Sequence, residues 1–217
     1  MSPLRPPLVI AVDGPAASGK GTVAEGLARH YGLPYLDTGT LYRAVALGVL
    51  SAGRDPNDAE AAQRVARLLD PRLTDPVAIR DPDVGAAASV VAAHPPVRAA
   101  LLDLQTRFAQ QPGGAVLDGR DIGTVIAPRA PAKLFVTATP EARADRRFRQ
   151  HLAAGRAVTL EGVLADILER DARDAGRGAA PLARADDAVL LDTTHLTIEA
   201  AADAARRIVE AARDRVR

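Results

Sequence analysis

The run Gly14, Pro15, Ala16, Ala17, Ser18, Gly19, Lys20, Gly21 and Thr22 carries the clearest chemistry in this chain. Glycine, four residues, then Gly-Lys is the spacing of a phosphate loop. Glycines permit backbone shapes that a Cβ would block, so the loop's amides can turn toward phosphate oxygens. A helix start beyond the loop adds unpaired N–H groups and the positive end of a dipole. Lys20 supplies a point charge able to follow the outer phosphates. The hydroxyl that would reach a metal ion comes at Thr22, because Gly21 stands where a shorter pattern has it. The plainer alternative is a Gly-rich turn with a solvated lysine. Usage within the chain speaks against it: of 28 Lys plus Arg, only Lys20 and Lys133 are lysines.

A second block lies downstream. Val116-Leu117-Asp118-Gly119-Arg120-Asp121 reads as an apolar strand ending in an acid, where a carboxylate near metal-bound phosphates would stand. Ligands of open parallel sheets sit beyond the carboxyl ends of the strands, and Asp13, Asp118 and Arg120 would gather there. Any one of these acids could instead serve a turn; the whole run Asp118 to Thr124 is more specific. Arg170, Arg173 and Arg177, with Asp171 and Asp174, form a third block at spacings that any salt-bridged helix can also show. His30, His94, His151 and His195 sit in no catalytic pattern and read as structural.

These residues need a frame. Leu8 to Val12 is apolar on both faces, as in a central parallel strand, and a helix runs from the loop to about Tyr31. Thr38 is a plausible N-cap for a helix over Leu41 to Leu50. Helices are expected over 57–70, with Ala61, Val65, Leu68 and Leu69 on one face, over 83–93, and over 97–111. Strands are expected at 115–117, 133–138 and 188–192, with helices over 141–153, over 159–174 and from Thr197 onward. Strands alternating with helices mean a parallel α/β sheet.

With 217 residues, one domain or a domain with a small insert is expected. Aromatics make up only 3%, so Ala, Val, Leu and Ile must build the core. The net charge of +1 gives no case for bulk attraction to nucleic acid or membrane. Cysteine is absent, which rules out disulfides, a thiol nucleophile and Cys-ligated metal. Met1 to Pro7 holds no long apolar region, and no run approaches the ~18 residues of a membrane span. The expectation is a soluble, cytoplasmic protein.

Four blocks in this order resemble bacterial cytidylate kinase, a member of the P-loop nucleoside monophosphate kinases: Gly14 to Thr22, Leu36 to Arg43, Asp118 to Thr124, and Arg170 to Asp174 with Arg177 and Ala180-Pro181-Leu182. Ser89 and His94-Pro95-Pro96-Val97-Arg98 fit a fifth. The match spans about residues 8 to 200, and the Asp-Gly-Arg-Asp and Arg-Asp-x-Arg-Asp blocks are its most restrictive parts. The resemblance implies a P-loop kinase fold: a parallel five-stranded sheet flanked by helices, with a monophosphate-binding insert and a helical lid. It implies one domain over 1–217, with a core of about 8–56, 95–140 and 185–217, the insert at about 57–94 and the lid at about 141–180. In the family a longer segment before Ile79-Arg80 forms a small antiparallel sheet. Here Leu73 to Ala78 is shorter and proline-interrupted, so that sheet is expected to be incomplete.

The implied reaction moves the γ-phosphoryl group of ATP to CMP or dCMP with Mg²⁺, and the implied protein is a monomer with no nucleic-acid or membrane partner. A monophosphate acceptor is already a ~−1.5 to −2 anion at pH 7 and needs no general base. The site must hold two repelling anions in line, which calls for arginine forks. By resemblance Gly14 to Thr22 cradle ATP, with Thr22 and Asp118 at the metal. Arg43, Arg120 and Arg177 would grip the acceptor phosphate, and Arg146 and Arg147 would be lid arginines closing over ATP, although a solvated helix face is their plainer reading. Thr38 stands where some members have Ser. Asp121, Arg98 and Ser89 match the positions that read cytosine, and Arg170 and Asp174 those that meet the sugar. Two alternatives remain beside this reading: another small-molecule P-loop kinase, and a nucleotide-dependent switch or sensor.

Overall fold

The computed structural model describes residues 7–70 and 75–215. Five strands, β1 (Leu8–Asp13), β2 (Tyr35–Asp37), β3 (Gly114–Gly119), β4 (Ala132–Thr137) and β5 (Val189–Asp192), form one sheet in the order β2-β3-β1-β4-β5. β1 pairs in parallel with β3 and with β4, and β4 in parallel with β5. The parallel five-stranded α/β sheet expected from the sequence is therefore present. β1 lies between β3 and β4, so the chain winds outward in both directions from it. The crevice at such a switch point is where open α/β sheets bind ligands. Register brings the strand ends level: Val12 stands opposite Asp118, and Asp13 opposite Gly119 and Phe135.

The helices are α1 (Lys20–Tyr31), α2 (Thr38–Ser51), α3 (Ala59–Arg67), α4 (Pro82–Val91), α5 (Pro95–Ala109), α6 (Pro140–Ala153), α7 (Leu160–Ala175) and α8 (Ile198–Arg215). On one face of the sheet, Ile10, Val12, Val116, Leu134 and Val136 pack with Val23, Ala24 and Leu27 of α1 and Ala201, Ala205 and Val209 of α8. Small aliphatic side chains fill this core, as the scarcity of aromatics requires.

The chain divides into two compact units, Met1–Leu36 with Ala109–Arg217, and Asp37–Phe108. The second contains α2, α3, α4 and most of α5. There Gly48 of α2 lets α3 approach, since a Cβ at that point would meet Val65 Cγ1 at 2.6 Å.

Local departures from the expected boundaries have identifiable causes. Asp37, not Thr38, caps α2: its carboxylate accepts the Gly39 amide at 2.8 Å, and Thr38 is already the first helical residue. Asp58 caps α3 through the amides of Glu60 and Ala61, so that helix begins at Ala59. It ends at Arg67 because the Leu68 amide donates to the Val65 carbonyl. Leu68 leaves the apolar face and is 85% exposed, contrary to the expected stripe. Among the described residues of 57–94 there is no strand. Asp75 accepts the amides of Val77 and Ala78, turning the chain into a short 3-10 turn at Ala78–Arg80. Leu73 and Thr74, part of the segment expected to hold an incomplete small sheet, lie outside the described residues, as do Met1 to Pro6. A π turn over Ile122–Ile126, invisible to periodicity, follows β3.

Candidate active site

The phosphate loop joins β1 to α1 at the C-terminal edge of the sheet. Gly14 has φ +153°, and a Cβ there would come within 2.0 Å of the Val136 carbonyl oxygen. The loop can lie against β4 only with glycine at this point. Gly19, the N-cap of α1, is left-handed with φ 87° and provides no side-chain cap, so the first amides of the helix are left for another acceptor. Ala17 also takes a left-handed φ of 58°. Gly21 is simply helical, and a Cβ there would meet nothing closer than 3.8 Å. Ser18 is fully buried, and its Oγ has no hydrogen-bond partner among the described residues. A buried hydroxyl of this kind, in a Gly-rich turn that runs into an uncapped helix start, fits an anion's oxygens.

Lys20 Nζ stands 3.7 Å from Asp118 Oδ2. Asp118, 2% exposed at the end of β3, accepts the Tyr35 hydroxyl at 2.8 Å through Oδ1. Thr22 is exposed on the first turn of α1. A buried carboxylate and a hydroxyl are both hard oxygen donors of the kind Mg²⁺ accepts. Among the described residues no group of three His, Cys, Asp or Glu side chains could cage a metal.

Asp174 of α7 is fully buried. Arg120 Nε donates to its Oδ2 at 2.8 Å, Arg177 binds its Oδ1, and Arg170 Nε lies 4.0 Å from Oδ2. Burial pushes this carboxyl upward, but Arg120, Arg177 and Arg170 outweigh it and hold it below its ordinary value. Three of the arginines expected near the acceptor are thus brought together round one acid. Arg173 is different: it pairs with Glu169 on the exposed side of α7.

Arg146 of α6 reaches the phosphate loop. Its NH1 donates to Thr193 Oγ1 at 3.0 Å and to the Ser18 carbonyl at 3.4 Å, and its NH2 donates to the Thr193 carbonyl at 2.5 Å. Arg147 instead makes a contact with Gln150 at 3.4 Å. Desolvation and the neighbouring Arg156 lower its pKa. The two residues expected to act as a pair therefore face different surroundings.

The second unit holds the remaining expected residues. Thr38 and Ser89 are buried on α2 and α4. Arg43 NH1 donates to the Ile79 carbonyl at 2.9 Å, and its guanidinium lies over Gly85, where a Cβ would meet NH1 at 2.9 Å. Arg98 of α5 is 9% exposed, donates to the Ala92 carbonyl at 3.3 Å and sits 5.6 Å above the Tyr42 ring. His94 fits the structural reading, with Nε2 2.9 Å from the Pro56 carbonyl oxygen.

Several participants escaped the sequence reading. Arg143, 3% exposed, donates to the Ala16 carbonyl and to both oxygens of Asp171. Its position one helical turn before Arg146 was the available signal. Thr193 donates to the Ser18 carbonyl at 2.8 Å, a contact no local pattern announces. Asp13 was placed at the sheet edge by sequence, but not its partners, the amides of Ile122 and Gly123.

A parallel α/β sheet with a phosphate loop at its switch point, and on the same unit arginines gathered on the buried Asp174, defines a nucleotide-phosphate-handling protein of the P-loop class. A family profile described as cytidylate kinase matches residues 10–212. A protein of Xanthobacter autotrophicus named cytidylate kinase is 63% identical over 95% of this chain and 99% of its own length. A Methylocella silvestris protein of the same name is 58% identical, covering 97% of both chains. The chain belongs to the cytidylate kinase family. A crystal structure of an uncharacterized protein from Eubacterium ventriosum shares the fold at a TM-score of 0.55 and 15% identity, covering 95% of this chain and 99% of its own.

Proposed function

We propose that the protein transfers the γ-phosphoryl group of ATP to CMP or dCMP, giving CDP or dCDP. The reading is carried by one conjunction within one unit: a phosphate loop enclosing the orphaned Ser18 hydroxyl, and the Arg120, Arg170 and Arg177 cluster at Asp174. The loop and Lys20 bind the ATP phosphates. Arg120, Arg177 and Arg43 have the roles the resemblance gives them, toward the acceptor's phosphate. The acceptor is already an oxyanion, so the work of the site is orientation and charge neutralisation, with no general base.

Thr22 and Asp118 would hold Mg²⁺, which when bound offsets negative charge on the transferring group. Arg146, already against the loop, neutralises the ATP phosphates, with Arg147 joining from the same helix. Asp121 accepts from the cytosine N4 amine, and Arg98 and Ser89 meet the base's acceptors; uracil reverses that edge. Arg170, Asp174 and Thr38 complete the acceptor's contacts. The protein works as a cytoplasmic monomer; among its described residues no helix is long and apolar enough to cross a membrane.

ADP release from Mg·ATP, with CMP, dCMP, UMP, AMP and dTMP offered separately, tests this. Turnover confined mainly to CMP and dCMP is expected. A different preferred acceptor would discard the cytosine-reading roles, and ATP binding without any turnover would leave a sensor.

A further inference from the structure

Asp13 is the last residue of β1 and the one immediately before the phosphate loop. It is 4% exposed, and both oxygens of its carboxylate accept amides from beyond β3. Oδ1 accepts the Ile122 amide and Oδ2 the Gly123 amide, both at 2.7 Å. Those amides open the π turn Ile122–Ile126, and the first N–H groups of any helical turn lack partners within it. The turn's own N-cap residue is Asp121, with φ −144° and ψ 25°, and its side chain makes no cap. Its carbonyl instead accepts the amides of Val125 and Ile126, at 2.9 and 3.1 Å. The cap comes from a residue 109 positions away in sequence.

Asp121 is thereby fixed from both sides. Its carbonyl is bound by the turn, and the start of the turn is bound by Asp13. Little room exists for adjustment: a Cβ on Gly123 would lie 3.2 Å from Asp13 Oδ2 and 3.2 Å from Lys133 Cδ. Burial costs the Asp13 carboxyl enough to push it up to about 6 despite both amides. A buried charge on these two amides is an expensive way to hold a loop, and what it holds is the Asp121 backbone.

We propose that Asp13 is a positioning residue for acceptor-base selectivity, acting through the Ile122 and Gly123 amides to set where the Asp121 carboxylate stands. The inference rests on the kinase reading and on Asp121 as the base reader. A displacement of about 1 Å at such a group can cost on the order of 100-fold, and a misplaced Asp121 would penalise CMP and not UMP. Loss of general structure would lower both alike.

The experiment compares kcat/KM for CMP and for UMP, with the KM for ATP, in the unmodified protein, Asp13→Asn and Gly123→Ala. Asn keeps one acceptor oxygen but turns an amide donor toward the other N–H. Gly123→Ala presses on the same joint from the opposite side and serves if Asp13→Asn does not fold. The expected result is a CMP-to-UMP ratio reduced at least about tenfold, with the KM for ATP within about threefold of the original. Equal losses on CMP and UMP, or an unchanged ratio, overturn the role of Asp13. An unmodified protein with no preference for CMP overturns the base-reading itself, a different outcome from either.

Discussion

Arg143 forks onto Asp171, NH1 donating to Oδ1 at 3.0 Å and NH2 to Oδ2 at 2.6 Å. The same guanidinium donates through Nε to the Ala138 carbonyl at 3.0 Å and through NH1 to the Ala16 carbonyl at 3.3 Å. One buried side chain of α6 therefore ties together the end of β4, the phosphate loop and α7, the helix that also carries Arg170 and Asp174. Bidentate geometry of this kind is available to arginine and not to lysine.

Removing that fork should be costly. Arg143→Ala strands two loop carbonyls and a partly buried carboxylate, and a loss of about 3 kcal/mol is expected, the lower end for a broken buried pair because Asp171 keeps some water. Urea unfolding of Arg143→Ala, Asp171→Ala and the double variant reads this. The double variant should lose clearly less than the sum of the singles. Strict additivity would show that the two residues do not act as a unit.

Lys20 stands in the phosphate loop with its Nζ 3.7 Å from Asp118 Oδ2 and its side chain 14% exposed. As the loop's point charge toward the outer phosphates, it should contribute chiefly in the transition state. Lys20→Ala is expected to lower kcat by about 100- to 1,000-fold, the range seen when a preorganised donor to developing charge is removed, with the urea midpoint unchanged. Near-normal turnover in this variant would take Lys20 out of the chemistry.

What could be read in advance follows the range of the interactions. Four of the strands, the helices and the phosphate loop are local patterns, and Leu8–Asp13 and Lys20–Tyr31 appear as expected; the three-residue β2 is too short to show a pattern, and the five-stranded sheet was implied by the resemblance alone. The cap of α2 falls at Asp37 and not at Thr38 because the Asp37 carboxylate takes the Gly39 amide, and α3 starts two residues later than expected, behind its Asp58 cap. Contacts across the chain were out of reach. Asp13 to Gly123, Arg143 to Ala16 and Thr193 to Ser18 each join residues more than a hundred positions apart. Arg170 and Asp174 were visible as a helical spacing, but the arrival of Arg120 from the end of β3 turns that spacing into a buried cluster.

Acid should affect the fold through two aspartates with opposite signs. Asp13 titrates near 6 when folded against an ordinary value of 3.8, so the folded state binds the proton more tightly. Its contribution to stability is fully present below the ordinary value and is lost as pH rises toward and through about 6. Asp174 is depressed by its arginines once burial is overcome, so its contribution is present above 3.8 and lost as pH falls below that value. His151, lowered chiefly by desolvation and then by Arg147 and Arg156, loses stability as pH falls through its ordinary 6.5 and opposes Asp13 in the same window. The readout is therefore the difference between variants: between about pH 7 and pH 5 the unmodified protein should gain stability relative to Asp13→Asn. Thermal melts giving parallel curves for the two proteins would show that Asp13 does not titrate there.

Two glycines separate shape from function at the nucleotide end of the molecule. Gly26 lies inside α1, and a Cβ added there would meet nothing within 4 Å, so alanine fits and removes unfolded-state freedom. Gly26→Ala should raise stability by roughly 0.5–1 kcal/mol and leave ATP binding unchanged. At Gly14 the added methyl would sit 2.0 Å from the Val136 carbonyl oxygen, on a backbone with φ +153°. Backbone, not a flexible side chain, is the obstacle, so either β4 or the loop must shift, and the loop's amides turn away with it. Gly14→Ala should therefore lose both stability and ATP affinity, measured by urea unfolding and by equilibrium binding of ATP. Wild-type ATP affinity in Gly14→Ala would mean that the loop holds phosphate without its close seat on β4, and the steric account of that glycine would fail.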